Sequence, residues 1–200
     1  MRHHVVMSEH ITRILAIRHG ETAWNQDGRI QGHIDIPLND TGRWQAQRMA
    51  EAVADEGVDV LYASDLSRAF DTAHAIADVT GLPLTAEPGL RERHFGMLQG
   101  LTWAEIESEW PQEARLWRSR VPDWSPPNGG ESLEKVRARV AETVGRQLQA
   151  VLPSPLAAMP AYASNPDGGS MPVAATVPPP AVELKACGFG LRHGSPWLQT

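Results

Sequence analysis

Short apolar runs alternating with helical periodicity constrain this 200-residue chain more than any other feature. Ile14 to Ile17 has the length and composition of a buried strand. Trp44, Ala46, Met49, Ala50, Val53 and Ala54 then recur at helical spacing, behind an N-cap at Asp40 or Thr41 and ahead of Gly57. Val58 to Ala63 reads as a second strand. A second helix runs through Thr72, Ala75, Ile76 and Val79 and stops at Gly81 and Pro83, and Leu82 to Ala86 reads as a short third strand. That alternation predicts an α/β fold with a largely parallel sheet. Further on, Pro88 to Gly100 reads as a loop, Trp103 to Arg120 as a helix interrupted at Pro111, Val121 to Gly130 as a Pro/Gly loop, and Glu131 to Val151 as an amphipathic helix.

The chain changes character at Leu152. Residues 152–200 hold nine of the sixteen prolines but only four of the forty-two Asp, Glu, Lys and Arg residues. Proline at that density excludes a normal helix or central strand over most of the span. The expected organisation is a flexible N-terminus over residues 1–12, one domain over 13–151, and a poorly ordered Pro/Ala-rich tail over 152–200. A net charge of −6 argues against nucleic acid or an anionic membrane as a partner. The single cysteine, Cys187, fits a reducing compartment. With no signal-peptide core near the start and no stretch of transmembrane length, the expected location is the cytoplasm.

The chemistry begins where the first apolar run breaks into Arg18, His19, Gly20, Glu21 and Thr22. Ligands of open α/β sheets sit outside the carboxyl ends of strands. A fixed cation, an imidazole and a glycine delivered there suit an anion-handling site. Arg68 follows the second strand near a helix start, where bidentate charge and free backbone donors combine. Glu92, in Leu90-Arg91-Glu92-Arg93-His94-Phe95-Gly96, is a carboxylate able to exchange a proton with a leaving group. His33, His74 and His94 read as structural or peripheral, and Trp103, Trp110 and Trp117 as packing or lid surface.

Taken together, the blocks Arg18-His19-Gly20-Glu21-Thr22-x-x-Asn25, Gly32-His-x-Asp35-x-Pro37-Leu38, Ser64-x-Leu66-x-Arg68-Ala69-x-x-Thr72 and Leu90-x-Glu92-x-x-Phe95-Gly96 resemble the histidine phosphatase superfamily, in the branch of the cofactor-dependent phosphoglycerate mutases and their phosphatase relatives. The resemblance covers roughly residues 13–150. It implies a three-layer sandwich, a mostly parallel sheet flanked by helices. It also implies that His19 attacks phosphorus to give a phosphohistidine, that Arg18 and Arg68 hold the phosphate oxygens with Asn25 as a neutral donor, and that Glu92 is the acid and base. Gln31 and Gly32 are further candidates for lining the pocket, Glu21 and Thr22 are expected to orient the motif, and no cofactor or metal is implied. The implied substrate is a small phosphorylated metabolite. Hydrolysis and mutase transfer share the first half-reaction, and the short insertion Leu101–Gly130 favours hydrolysis.

The family pattern also calls for a second histidine in a strand–His–Gly–Gly block soon after a helix like Glu131–Val151. Here Leu152-Pro-Ser-Pro-Leu stands in that place, and no histidine occurs between His94 and His193. Arg192-His193-Gly194 echoes the first motif far downstream, behind Cys187-Gly-Phe-Gly-Leu, a poor strand. The expectation is a tail that does not continue the domain, which leaves a phosphoester-binding remnant as the third functional reading.

Overall fold

The computed structural model describes residues 12–151 and the backbone of residues 182–187. The chain divides into two units. In the first, strand β1 (Thr12–Ile17) leads to Arg18. The second runs from His19 to Val151. It contains α1 (Ala23–Gln26), α2 (Asp40–Val53), β2 (Leu61–Ala63), α3 (Ser67–Thr80), β3 (Leu84–Ala86), 3-10 turns at Pro88–Leu90 and Gly96–Leu98, α4 (Trp103–Glu109), α5 (Pro111–Arg118) and α6 (Leu133–Val151). The chain returns to the first unit as β4 (Val182–Cys187). Both strand pairings are parallel: Thr12 to Ile17 of β1 stand opposite Val182 to Cys187 of β4, and Leu61 to Ala63 of β2 opposite Leu84 to Ala86 of β3. The α/β class and parallel pairing expected from the sequence are therefore present.

Strand β4 is a short proline-free exception within the span where proline excludes strand over most of the length. Val-Glu-Leu-Lys-Ala-Cys has no proline and alternates apolar with polar residues, a period-two pattern that the proline-rich surroundings obscure. His193 and the rest of 188–200 lie outside the described residues, as do 1–11 and 152–181. Strand β2 is shorter than the expected Val58–Ala63, and α1 occupies a stretch read as loop.

Local chemistry accounts for the helix ends. The N-cap of α2 is Asn39, one residue before the expected Asp40, and its side chain accepts from Gly42 N at 2.7 Å. Ala46, Met49, Ala50 and Val53 lie buried at helical spacing along α2, which packs against α3. Gly81 closes α3 in the left-handed conformation at φ 70°. Pro111 starts α5, where its missing N–H leaves no intrahelical bond unmade, so the expected interruption falls between two helices. Capping boxes open α1 (Thr22, Asn25) and α4 (Thr102, Glu105).

The insertion after Gly100 has its own small core. Ile30, Leu98, Ile106 and Ala114 are buried together, and Phe95, Met97, Leu101, Trp103, Trp117 and Trp124 pack on them. Trp103 and Trp117 thus serve in packing, as expected. The Arg93 guanidinium lies 5.6 Å, 5.7 Å and 5.5 Å from the ring centroids of Phe95, Trp117 and Trp124.

Two glycines let the Gly20–Glu21 loop touch α2. A Cβ on Gly20 would collide with the carbonyl of Gly42, and one on Gly42 with the carbonyl of Glu21. Gly42→Ala ought to stabilise a helix by about 1 kcal/mol on propensity alone. Here the clash wins. Overpacking costs typically about 1–3 kcal/mol, so after that gain the variant is expected to lose about 1 kcal/mol net in a denaturant melt; an unchanged or raised midpoint would show that the loop yields freely.

Candidate active site

His19 begins the second unit, and its Nδ1 lies 2.7 Å from the carbonyl oxygen of Gly20. A carbonyl has no proton to give, so Nδ1 is the donor and the lone pair of the neutral ring falls on Nε2. Gly20 N donates to Thr72 Oγ1 at 3.0 Å, and the Thr72 hydroxyl donates in turn to the Arg68 carbonyl at 2.7 Å. One buried threonine thus ties the histidine loop to the first turns of α3. Thr72 belongs to the sequence motif, but its role could not be read there because both partners are backbone groups.

Arg68 is only 1 % exposed. Its Nη2 donates to the Gly32 carbonyl at 2.7 Å and to Glu92 Oε2 at 3.0 Å, and its Nη1 to the Ile34 carbonyl at 3.1 Å. Its Nε is buried without a hydrogen-bond partner. A buried charged donor left unmade costs more than an ordinary lost hydrogen bond, so such groups call for an explanation. The chemistry of this one calls for an anion.

The loop from Gln31 to Asp35 has two tasks. Its carbonyls at Gly32 and Ile34 hold Arg68, and Asp35 Oδ1 accepts from Ser67 N and Ser67 Oγ, each at 2.8 Å. Asp35 thereby caps α3 from outside, since the N-cap residue Leu66 offers no side-chain acceptor. Gly32 sits at φ 58°, and a Cβ there would strike the Gln99 side chain. Gln31 is buried, and its Oε1 accepts from Thr22 Oγ1 at 2.9 Å. Thr22 N also donates to Asn25 Oδ1 at 3.0 Å, and Asn25 N donates to Thr22 Oγ1 at 3.2 Å, so the capping box orients the Asn25 amide. Glu21 Oε1 accepts from Gln26 and Asn39, each at 2.9 Å, which fixes the motif against the start of α2.

Glu92 is half-exposed, with its side chain 43 % accessible on the Arg68 ion pair. The flanking arginines reach elsewhere: Arg91 forks onto Asp65, with Nε to Oδ1 at 2.7 Å, and Arg93 donates to the Glu131 carbonyl at 2.6 Å. Hydrogen bonding to Arg91 holds the Asp65 carboxyl below its usual range, although burial opposes it. His33 and His94, read as structural or peripheral, make structural contacts behind Glu92. His33 Nε2 donates to the Glu92 carbonyl at 2.9 Å, and the two rings meet edge-on at 4.8 Å. His74 is peripheral, paired with Asp78 on α3 at 3.3 Å. Arg18 is exposed immediately after β1, in the first unit. Among the described residues no group of three or more His, Cys, Asp and Glu side chains could hold a metal ion, and no helix is long and apolar enough to cross a membrane.

In this parallel α/β unit an imidazole whose Nδ1 proton is held by a carbonyl is linked through one threonine to a buried arginine beside a carboxylate. The chain belongs to the histidine phosphatase superfamily, branch 1, whose sequence profile matches residues 14–152. It is 44 % identical over 135 residues to phosphoglycerate mutase-like protein 4 of Arabidopsis thaliana, covering 66 % of this chain and 59 % of that protein. It is 43 % identical over 137 residues to a metal-independent phosphoserine phosphatase of the same plant, covering 68 % and 58 %. Its fold is similar to the solved structure of a mycobacterial glucosyl-3-phosphoglycerate phosphatase complexed with VO3, at TM-score 0.62 and 37 % identity over 70 % of this chain and 67 % of that one. The chain spans about three fifths of the length of the two plant relatives.

Acid should weaken the half-buried cluster behind Glu92. Burial holds the His33 imidazole below its usual value, with His94 and Arg91 pushing the same way and the Glu92 carbonyl and Glu131 opposing. The unfolded chain therefore takes up this proton first. The neutral ring's contribution is full above about pH 6.5 and is lost as pH falls toward the lower folded value. For Glu131, burial raises the pKa, but hydrogen bonds from Arg139 and the His94 N–H outweigh it and the net shift is downward, so that contribution is lost at still lower pH. Melting temperature should fall steadily below about pH 6.5. His33→Gln should flatten the upper part of that fall, and a variant curve parallel to the wild type would contradict this assignment.

Proposed function

We propose that this chain is a phosphomonoesterase that hydrolyses a small phosphorylated metabolite through a phosphohistidine. The observation that carries the reading is the buried Arg68, with an unfilled Nε donor, coupled through Thr72 to the loop of His19. In this reading His19 Nε2 attacks phosphorus in line with the ester oxygen, forming the N–P bond as the P–O bond breaks. Glu92, protonated once the substrate phosphate replaces it as the anion on Arg68, gives that proton to the departing alkoxide. As carboxylate it then takes a proton from the water that attacks the phosphohistidine, so that phosphate leaves and both groups return to their starting state. Arg68 and Arg18 would stabilise the equatorial oxygens, with the Asn25 amide as a neutral donor. Gln31 and Gly32 would act less on the substrate than on its ligands: Gln31 through Thr22, and Gly32 through its carbonyl on Arg68. No cofactor enters this scheme.

Two relatives support hydrolysis by name, the phosphoserine phosphatase and the glucosyl-3-phosphoglycerate phosphatase. The half-exposed Glu92 carboxyl is within reach of water. Mutase transfer is the second reading, favoured by the name of the phosphoglycerate mutase-like relative. The single cysteine supports a reducing location, the cytoplasm.

Incubation of the chain with phosphoserine and other small alcohol phosphates separates the readings. Hydrolysis is expected to release inorganic phosphate without accumulating a positional isomer. Arg68→Met should lower kcat by about 10²–10³-fold, as for loss of one transition-state donor, and His19→Ala should abolish turnover. Isomer formation would favour the mutase. Phosphate binding without any turnover would identify a binding remnant.

A further inference from the structure

Glu92 sits in a stretch that neither a strand ladder nor an α-helix holds in place. Its backbone is held instead by side chains, His33 at the Glu92 carbonyl and, over a longer stretch, one arginine from α6. Arg139 Nη1 donates to the carbonyls of Gly89 and Arg91, each at 2.9 Å, and Nη2 donates to the carbonyl of Glu92 at 3.3 Å. The same guanidinium forks onto Glu131, Nε to Oε1 at 2.9 Å and Nη2 to Oε2 at 2.8 Å. Glu131 Oε2 in turn accepts from His94 N at 2.9 Å. Gly89 allows α6 to come this close: a Cβ there would collide with the Thr143 side chain, one turn beyond Arg139.

A guanidinium has five N–H donors. The five contacts of Arg139 use all of them, so none is left for a phosphate oxygen. Arg139 can act on the reaction only through the loop it grips. That loop is held at the carbonyls of 89 and 91 on one side of the Glu92 side chain, and at the carbonyl of 92 and the N–H of 94 on the other. We propose that Arg139, with Glu131 as its anchor, is a positioning residue that holds the Glu92 carboxyl at the leaving oxygen. The proposal rests on the reading of Glu92 as the proton donor. It makes a specific chemical demand. Misplacing an acid slows departure of a poor leaving group and scarcely affects one that leaves without protonation, whereas general damage to the site slows both. Lysine cannot replace this arginine, because three donors on a point charge cannot span three carbonyls and a carboxylate.

The test compares kcat/KM for phosphoserine, whose alkoxide needs a proton, with kcat/KM for p-nitrophenyl phosphate, whose phenolate does not. The ratio of the two, taken in one preparation, is independent of how much of a variant has folded. Glu92→Gln is expected to lower the alkyl-to-aryl ratio by about 10²-fold or more, the usual contribution of a general acid. Arg139→Met should lower it at least ten-fold, about the loss expected from displacing a reacting group by a fraction of an ångström, and Arg139→Lys should stay with Met. If Glu92→Gln lowers the ratio while Arg139→Met leaves it at the wild-type value, Arg139 is only structural and the proposal is overturned. A ratio unmoved by Glu92→Gln overturns instead the acid role on which the proposal rests. Cleavage of neither ester by the wild-type chain overturns the phosphatase reading, and the proposal with it.

Discussion

A buried arginine imposes the strictest condition in this molecule. Removing the Arg68 guanidinium from water is tolerable only if its donors meet partial or full negative charge. Two loop carbonyls and one carboxylate supply it, from Gly32, Ile34 and Glu92. Those partners lie 36, 34 and 24 residues away in the chain, so the condition is met only when the loop after α1, the start of α3 and the stretch around Glu92 converge. Asp35 then serves the same convergence by capping the helix that carries Arg68. The Nε of the same guanidinium is buried without a hydrogen-bond partner, and the proposed reading gives it an anion.

Around that arginine the site is built in linked pairs. Thr72 joins α3 to the His19 loop. The Asp65–Arg91 fork joins the turn before α3 to the Glu92 loop, and Arg139 joins that loop to α6. The close contact of Gly20 with Gly42 fixes the histidine loop on α2. Each link uses a backbone group on at least one side or a two-pronged ion pair. Such links set position more firmly than single contacts between flexible side chains. Charge neutralisation and placement are therefore inseparable here, because the Glu92 carboxylate that balances Arg68 also lies on the loop that Arg91 and Arg139 tie to its neighbours.

The chain's local chemistry exposed the parts that depend on neighbours in sequence. Ile14–Ile17 is a strand because it is apolar and short. α2 is a helix because Ala46, Met49, Ala50 and Val53 share a face, and α5 starts where Pro111 demands a start. Arg68 and Glu92 could be singled out because each stands just beyond a strand. The positioning residues were not legible in the same way. Asp35, Thr72 and Arg139 act on distant backbone groups, and no local pattern announces a carbonyl partner 48 or 50 residues away. The contacts of His33 and His94 behind Glu92 were hidden for the same reason. Strand β4 was hidden by averaging, since six proline-free residues lie within a segment otherwise dominated by proline. Strand β2 was over-extended because apolar Val58 and Val60 suit a strand, yet pairing starts only at Leu61.

The account stands or falls on whether His19 Nε2 accepts a phosphoryl group. Rapid quenching of the chain with a phosphorus-labelled phosphomonoester, followed by peptide mapping, measures this directly. The account predicts a label that is labile in acid and stable in base, as a phosphoramidate bond is, located on the peptide containing His19 and absent from His19→Ala. A label on another residue, or one that persists in His19→Ala, would contradict it.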